Sequence, residues 1–169
     1  MRVTPDSVRD EHAWVRDRAP VVVPLINDAR DRLGVLFETD VDTVSRETYR
    51  REVDAVFADG EVAVNVAGYV ALLRALDVEG DYPGFVVDEV LGRELAATIA
   101  GGRPLSLLAQ ATFHFVDIHV DEDATADGAG AAGADDLDAA LAAGFQTRLP
   151  GWDWREGTSP FAVSPPDGE

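Results

Sequence analysis

The residues best suited to chemistry lie in the stretch Phe113–Asp123, FHFVDIHVDED, which combines two histidines with several carboxylates. Imidazole and carboxylate groups ligate metal ions and transfer protons. As a β-strand, the stretch would present Asp117, His119 and Asp121 on one face, because alternate residues of a strand share a face. Such a face would suit a metal ion, so the secondary structure of this stretch decides what its side chains can do.

Helical periodicity accounts for this stretch better than strand alternation does. The helical pattern orders the whole span Leu105–Asp121, whereas the strand pattern orders only its last third, and Pro104 suits the first position of a helix. His114 and His119 then lie about 140° apart around the helix axis, so one ion cannot bind both. We predict that His119 faces the core and that His114 and Asp117 lie on the exposed face. The functional alternative is a metal or acid–base site that His114 and Asp117 form with residues of another helix.

Known catalytic and cofactor motifs are absent from the chain or incomplete. There is no Glu-x-x-His, His-Glu-x-x-His or Gly-x-Ser-x-Gly motif, and there is no cysteine, which excludes thiolate chemistry. The sequence GAGAAG at residues 128–133 matches a dinucleotide-binding pattern only literally, because acidic and small residues flank it where a strand and a helix are required. An EF-hand alignment that starts at Asp123 fails because it puts Ala134 where the bidentate glutamate belongs. We therefore expect no cofactor and no nucleotide partner.

The sequence SRETYRRE holds the one cluster of arginines in the chain. Arg46, Arg50 and Arg51 could contact DNA phosphates from a helix that begins at a capping serine. Two features favour a salt-bridged surface instead. The connection before this helix is longer than the turn of a helix-turn-helix motif. Glu47 and Asp54 also have the i,i+4 spacing that would pair them with arginines of the cluster.

The composition of the chain indicates its solvent rather than its ligand. All 14 basic residues are arginines, against 32 acidic residues, and the net charge is −18. A lysine-free, acidic chain of this kind resembles in style the proteins of halophiles with a salt-filled cytoplasm. At molar salt the Debye length falls to roughly 3 Å, so repulsion of this size is screened. The chain shows no targeting segment and no apolar run long enough for a bilayer, so we expect a cytoplasmic protein.

The pattern of apolar residues predicts an all-α fold, with a bundle of about six helices over residues 1–120. Residues 121–134 are acidic and small, without large apolar side chains, which predicts a flexible linker. Residues 135–169 are predicted to form a short helix, to about residue 143, and an irregular tail. The tail carries Trp152 and Trp154, which either dock on the bundle or anchor a partner.

Three functions are consistent with these observations. The one we favour is a salt-adapted protein that acts through protein interaction, self-association or regulation, without catalysis. It rests on the lack of a complete catalytic motif and on the linker with its aromatic tail. The second is a DNA-binding regulator that uses the arginine cluster, and the third is a metal-dependent enzyme that uses His114 and Asp117.

Overall fold

The computed structural model describes residues 1–76, 86–124 and 132–152, and these residues form seven α-helices and no strand. The helices are α1 (Pro5–Asp17), α2 (Ala19–Leu36), α3 (Arg46–Ala58), α4 (Gly60–Ala75), α5 (Val86–Ala100), α6 (Leu105–Ala124) and α7 (Ala132–Arg148). The predicted all-α bundle is confirmed, with seven helices in the described ranges.

The last helix, α7, lies at the centre of the bundle, in contact with α2, α4, α5 and α6. Every residue from 136 to 147 is buried. This segment is rich in alanine, whose small side chain lets neighbouring helices approach from several sides. Gly144 marks a close approach to α5, because a Cβ atom at Gly144 would lie 2.8 Å from Cβ of Ile99. All seven helices contribute buried apolar side chains to one cluster, and α7 is one of the main contributors.

The sequence prediction placed a short helix after the six-helix bundle, in a C-terminal segment that packs only partly back on it, and the structure differs in the length and burial of this helix. The helix is longer than predicted, and it shares the core. Both ends of the predicted linker, residues 121–134, are helical in the structure, because α6 continues to Ala124 and α7 begins at Ala132. Its middle, 125–131, lies outside the described residues. A helix buried on every side has no polar face, so its sequence lacks the periodic signal that reveals an amphipathic helix.

The N-terminal helices follow the capping residues of the sequence. The side chains of Thr4 and Ser7 each accept a hydrogen bond from the other residue's backbone N–H, and Pro5 occupies the first helical position of α1. α2 contains Pro20 and Pro24. Pro20 is tolerated because the first backbone N–H groups of a helix have no intrahelical partner.

α3 and α4 meet at a sharp bend of 112°. Asp59 separates them and caps α4, since its carboxylate accepts hydrogen bonds from the backbone N–H groups of Glu61 and Val62, each at 3.2 Å. Among the described residues, no single helix is long and apolar enough to cross a membrane; the bent pair α3–α4 meets that test only when its two helices are taken together.

The C-terminal end of α7 is fixed by Arg30, a residue of α2 that is 1% exposed. Its guanidinium donates hydrogen bonds of 2.6–3.1 Å to four backbone carbonyls, which belong to Asp42, Gln146, Leu149 and Pro150. Three of these carbonyls lie at or just beyond the end of α7, where the helix dipole is negative. Arg30 therefore ties the end of the chain's last described helix to α2.

Candidate functional site

The stretch that holds His114 and Asp117 is helical, as the periodicity predicted. It forms the second half of α6, in which Ala109, Phe113 and Val116 face the core. His114 and Asp117 are only partly buried, in agreement with their expected position on the other face. The side chain of His119, predicted to face the core, lies outside the described part of the structure.

His114 contacts two residues of α5. Its Nδ1 atom lies 3.2 Å from Oε1 of Glu89, and its Nε2 atom lies 3.4 Å from Nη1 of Arg93. Because a guanidinium can only donate, Nε2 accepts from Arg93 and Nδ1 donates to Glu89. Both ring nitrogens are therefore engaged by neighbouring side chains, one of them a cation, and neither is presented to a metal ion.

Asp117 belongs to a group of three carboxyls, contributed by α5, α6 and α7. The carboxyl of Asp136 is hydrogen-bonded to those of Asp88 and Asp117. Asp88 is 5% exposed and Asp136 is 7% exposed, and Oδ1 of Asp88 also accepts a hydrogen bond of 2.8 Å from the backbone N–H of Glu89. We call Asp88, Asp117 and Asp136 the carboxyl cluster.

The carboxyl cluster retains a proton at neutral pH. Burial, together with the hydrogen bonds and negative charges of Asp88 and Asp117, raises the pKa of Asp136 to about 10. A carboxylate has no hydrogen to donate, so at least one of the three groups must be protonated to hydrogen-bond to another. The cluster is thus able to hold and release a proton at the junction of three helices.

The surroundings of His114 and Asp117 give little support to a metal centre. Among residues 1–76, 86–124 and 132–152, no three His, Asp or Glu side chains are arranged so that they could hold a metal ion. His114 is occupied by Glu89 and Arg93, and Asp117 takes part in the carboxyl cluster, so the two predicted ligands point to different partners.

The arginine cluster lies on α3, at the surface, with Arg46 and Arg51 exposed and Arg50 half-buried. The predicted ion pairs along the helix do not form within the described residues. Asp54 instead accepts hydrogen bonds from Arg16 and His12 of α1, with distances of 2.8 Å and 2.7 Å. The carboxylate that was expected to neutralise Arg50 therefore joins α3 to α1, and the three arginines keep their charge unpaired in the described structure.

Trp152, one of the two predicted partner anchors, is buried in its own chain. Its side chain is 1% exposed, its Nε1 donates a hydrogen bond of 3.1 Å to the carbonyl of Gln146, and the Arg30 guanidinium lies 5.6 Å from its ring centroid. This position agrees with docking on the bundle, and Trp152 is not exposed for a partner. Trp154 lies outside the described residues.

Apolar side chains are exposed on the side of α5 and α6 that faces away from the core. Val86 and Val90 of α5 are 63% and 40% exposed, and Leu107 and Ile118 of α6 are 52% and 58% exposed. We call these four residues the α5–α6 outer surface. The buried residues of α5 and α6, including Leu95 and Phe113, lie on the opposite sides of the same helices.

Sequence reasoning did not identify four residues around His114 and Asp117, namely Asp88, Glu89, Arg93 and Asp136. Asp88 and Asp136 were not singled out because a lone aspartate in a helix is usually a surface residue, and this chain has many. Glu89 follows Asp88 in the same acidic run. A signal was available in the sequence, because Asp88 and Asp136 each lie in a segment that is otherwise mostly apolar. These segments are VVDEVLG and ADDLDAAL.

Comparisons with known proteins identify a family without an established activity. No curated protein and no solved structure matches the chain. Residues 1–165 match the family described as Domain of unknown function (DUF7984). Because this match covers nearly the whole sequence, the chain belongs to the DUF7984 family.

Proposed function

We propose that the chain is a non-catalytic interaction protein of a salt-adapted cytoplasm, and that its binding face is the α5–α6 outer surface. The exposure of Val86, Val90, Leu107 and Ile118 carries this proposal. Isolated exposed apolar residues are ordinary, but several on adjacent helices mark an interaction surface. Burial of this surface on binding would contribute free energy that persists at molar salt, where interactions between exposed charges are screened.

The two helices are held in a fixed relation at this surface. Gly92 of α5 lies directly against the buried ring of Phe113 on α6, and the polar contacts of His114 with Glu89 and Arg93 link the outer sides of the same two helices. A surface built on packed helices is already ordered before binding, which lowers the entropic cost of association.

The partner that best fits this surface is another protein that presents the apolar face of a helix. Apolar burial retains its free energy at molar salt, whereas attraction and repulsion between exposed charges are screened there, so the net charge of the chain does not select the partner.

Site-specific photocrosslinking tests this proposal. A photoreactive residue placed at Leu107 or Ile118 should give an adduct of one defined mass in salt-adapted cells. The same probe at Val64, which is 47% exposed on α4, is the matched control and should give none. Adduct formation from Ile118 should be lost when Leu107→Asp is added. An adduct of twice the chain's own mass would show self-association, and equal labelling from Val64 would overturn the proposal.

A second candidate function, DNA binding, is favoured by Arg46, Arg50 and Arg51, which form no ion pair with the described residues. Fluorescence anisotropy with duplex DNA at several salt concentrations tests it, since each phosphate contact adds to the salt dependence of binding. The double variant Arg50→Gln and Arg51→Gln should weaken binding and reduce this dependence. The control is Arg9→Gln, an exposed arginine of α1 paired with Asp6. Equal binding by both variants would exclude the α3 arginines as a DNA-binding surface.

A further inference from the structure

A cavity of about 230 Å³ lies between α1, α4 and α7, and its lining includes no residue of the carboxyl cluster or of the α5–α6 outer surface. Its apolar walls are formed by Trp14, Leu73, Leu76 and Leu137. Liquid water occupies about 30 Å³ per molecule, so the cavity has the volume of roughly eight waters. It can accommodate a compact organic molecule, and it is too small for a peptide segment.

Two guanidinium groups from different helical elements meet at the indole of Trp14. The guanidinium carbon of Arg18 lies 5.3 Å from the ring centroid, and that of Arg74 lies 4.5 Å from it. Cation–π contacts of this kind stabilise both groups over the ring. The two side chains also line the cavity, so a ligand there would meet two cations beside an apolar wall.

Each guanidinium is oriented by a well-buried carboxylate. Arg18 donates to both carboxylate oxygens of Asp138, with Nε at 3.1 Å, and Arg74 donates to Glu11 at 2.7 Å. The side chains of Asp138 and Glu11 are only 11% and 13% exposed, whereas those of the arginines are 31% and 38% exposed. The carboxylates thus hold the arginines from behind and leave further N–H donors on both guanidiniums accessible.

The chemistry of the walls selects the kind of ligand. Arginine side chains offer donors only, and the planar guanidinium matches the geometry of a carboxylate. Asp138, the one acceptor among the wall side chains, is already bound by Arg18 through both oxygens. We propose that this cavity binds a small carboxylate with an apolar body, with the body against the leucines and Trp14 and the carboxylate on Arg18 and Arg74.

Ligand-observed NMR or calorimetry with benzoate and hexanoate, on the full chain at constant molar KCl, tests the proposal. Saturable binding of at least one of these probes is expected. Benzamide, which has the shape of benzoate without its charge, should bind at least about tenfold more weakly, because charge-assisted hydrogen bonds are roughly twice as strong as neutral ones. Absence of saturable binding by both carboxylates would overturn the proposal, and so would equal affinity for benzamide.

Two variants of cavity residues and one control variant locate the binding. Arg74→Gln keeps a partly exposed polar side chain and should weaken binding of the carboxylate about tenfold, with little change for benzamide. Arg9→Gln removes an exposed arginine elsewhere on α1 and should leave both affinities unchanged. Unchanged carboxylate affinity in Arg74→Gln would place the binding elsewhere and overturn the assignment. Leu137→Phe fills the cavity and provides a second test. This variant should lose binding of the carboxylate while it retains the helical circular dichroism of the wild type.

Discussion

The two ends of α7 hold buried ionisable groups in opposite ways. At the C-terminal end, the Arg30 guanidinium meets four carbonyl oxygens and the face of Trp152. Near the N-terminal end, the Asp136 carboxyl meets two further carboxyls, Asp88 and Asp117. The first arrangement matches a cation to acceptors and to the negative end of a helix dipole. The second brings together three groups that repel one another when ionised.

The two arrangements differ in their effect on stability. Arg30 is a buried charge that stabilises the fold, whereas Asp136 is held by the fold in an environment that is unfavourable for its charged form. Burial of Arg30 is compensated by its own hydrogen bonds, so the fold gains when the side chain is in place. Burial of Asp136 is compensated only in part, because the group must remain protonated to fit between its neighbours. Perturbed groups of this second kind are found at functional sites more often than groups of the first kind.

The largest expected effect comes from removing the cation at the C-terminal end of α7. Arg30→Met should lower the free energy of unfolding by about 3–5 kcal/mol, because the carbonyls of Gln146, Leu149 and Pro150 would lose their buried donor. Denaturant titration at constant molar KCl, followed by circular dichroism, measures this change.

The control for this prediction is Arg32→Met on the same helix. Arg32 is 43% exposed and pairs with Asp28 at i,i+4, so the change should stay within about 0.5 kcal/mol. If Arg30→Met lowered the free energy of unfolding no more than this control does, the hydrogen bonds of Arg30 would not stabilise the end of α7. The contrast between the two ends of α7 would then be wrong.

The next largest effect should have the opposite sign, and it concerns the N-terminal end of α7. Asp136→Asn replaces a carboxyl with an amide that stays neutral and still donates to Asp88 or Asp117. At pH 7 we expect this variant to be more stable than the wild type by about 1–3 kcal/mol, since the wild type must take up a proton in order to fold. Denaturant titrations from pH 5 to pH 9 at constant salt measure the difference.

The pH dependence identifies the group responsible. The pKa of Asp136 is about 10 in the folded chain, whereas an unperturbed aspartate has a pKa of 3.8. Between these values the folded state binds a proton that the unfolded state has released, so stability falls as pH rises, by up to about 1.4 kcal/mol per unit. Asp136→Asn should remove this contribution, and its advantage should grow with pH. An advantage that shrinks with rising pH would contradict the assignment.

The sequence revealed the fold more completely than it revealed these two ends. Helical spacing was enough to place α6, because Ala109, Phe113 and Val116 recur at helical intervals on its buried side. It was not enough for α7, which is buried on every side. The partners of Arg30 lie 116 to 120 residues away in the chain, apart from Asp42, and no local pattern encodes such a separation. The carboxyl cluster joins three helices in the same way, so only their packing brings it together.

A smaller effect is expected where α5 and α6 pack next to the carboxyl cluster. A Cβ atom at Gly92 would lie 2.7 Å from two ring carbons of Phe113 and 3.5 Å from the carbonyl oxygen of Asp136. Gly92→Ala should therefore cost about 1–2 kcal/mol, since the buried ring must shift and the gain in helix propensity offsets only part of the overlap.

The matched control is Gly68→Ala in α4, where an added Cβ would meet nothing within 4 Å. This change should stabilise the chain by up to about 1 kcal/mol, through helix propensity alone. Gly92→Ala should also alter the pH dependence of stability, because the ring of Phe113 packs beside the segment that carries Asp136. A variant that is destabilised with an unchanged pH dependence would show that the carboxyl cluster does not depend on this packing.

The smallest effect should come from Asp54, a carboxylate paired with cations at the surface. Burial opposes its ionisation, but the hydrogen bonds from His12 and Arg16 outweigh burial and lower the pKa of Asp54 below its usual value. Because its side chain is 42% exposed, Asp54→Asn should cost no more than about 1 kcal/mol at pH 7. That stabilisation should be present above the pKa of Asp54 in the unfolded chain and fade as pH falls through its pKa in the folded chain.

The pH dependence of stability that Asp54 contributes is opposite in sign to that of Asp136. The two variants measured in one pH series therefore distinguish a carboxylate stabilised by cations from one confined among carboxyls. Parallel pH profiles for the two variants would mean that the surroundings of Asp136 do not differ in kind from those of Asp54.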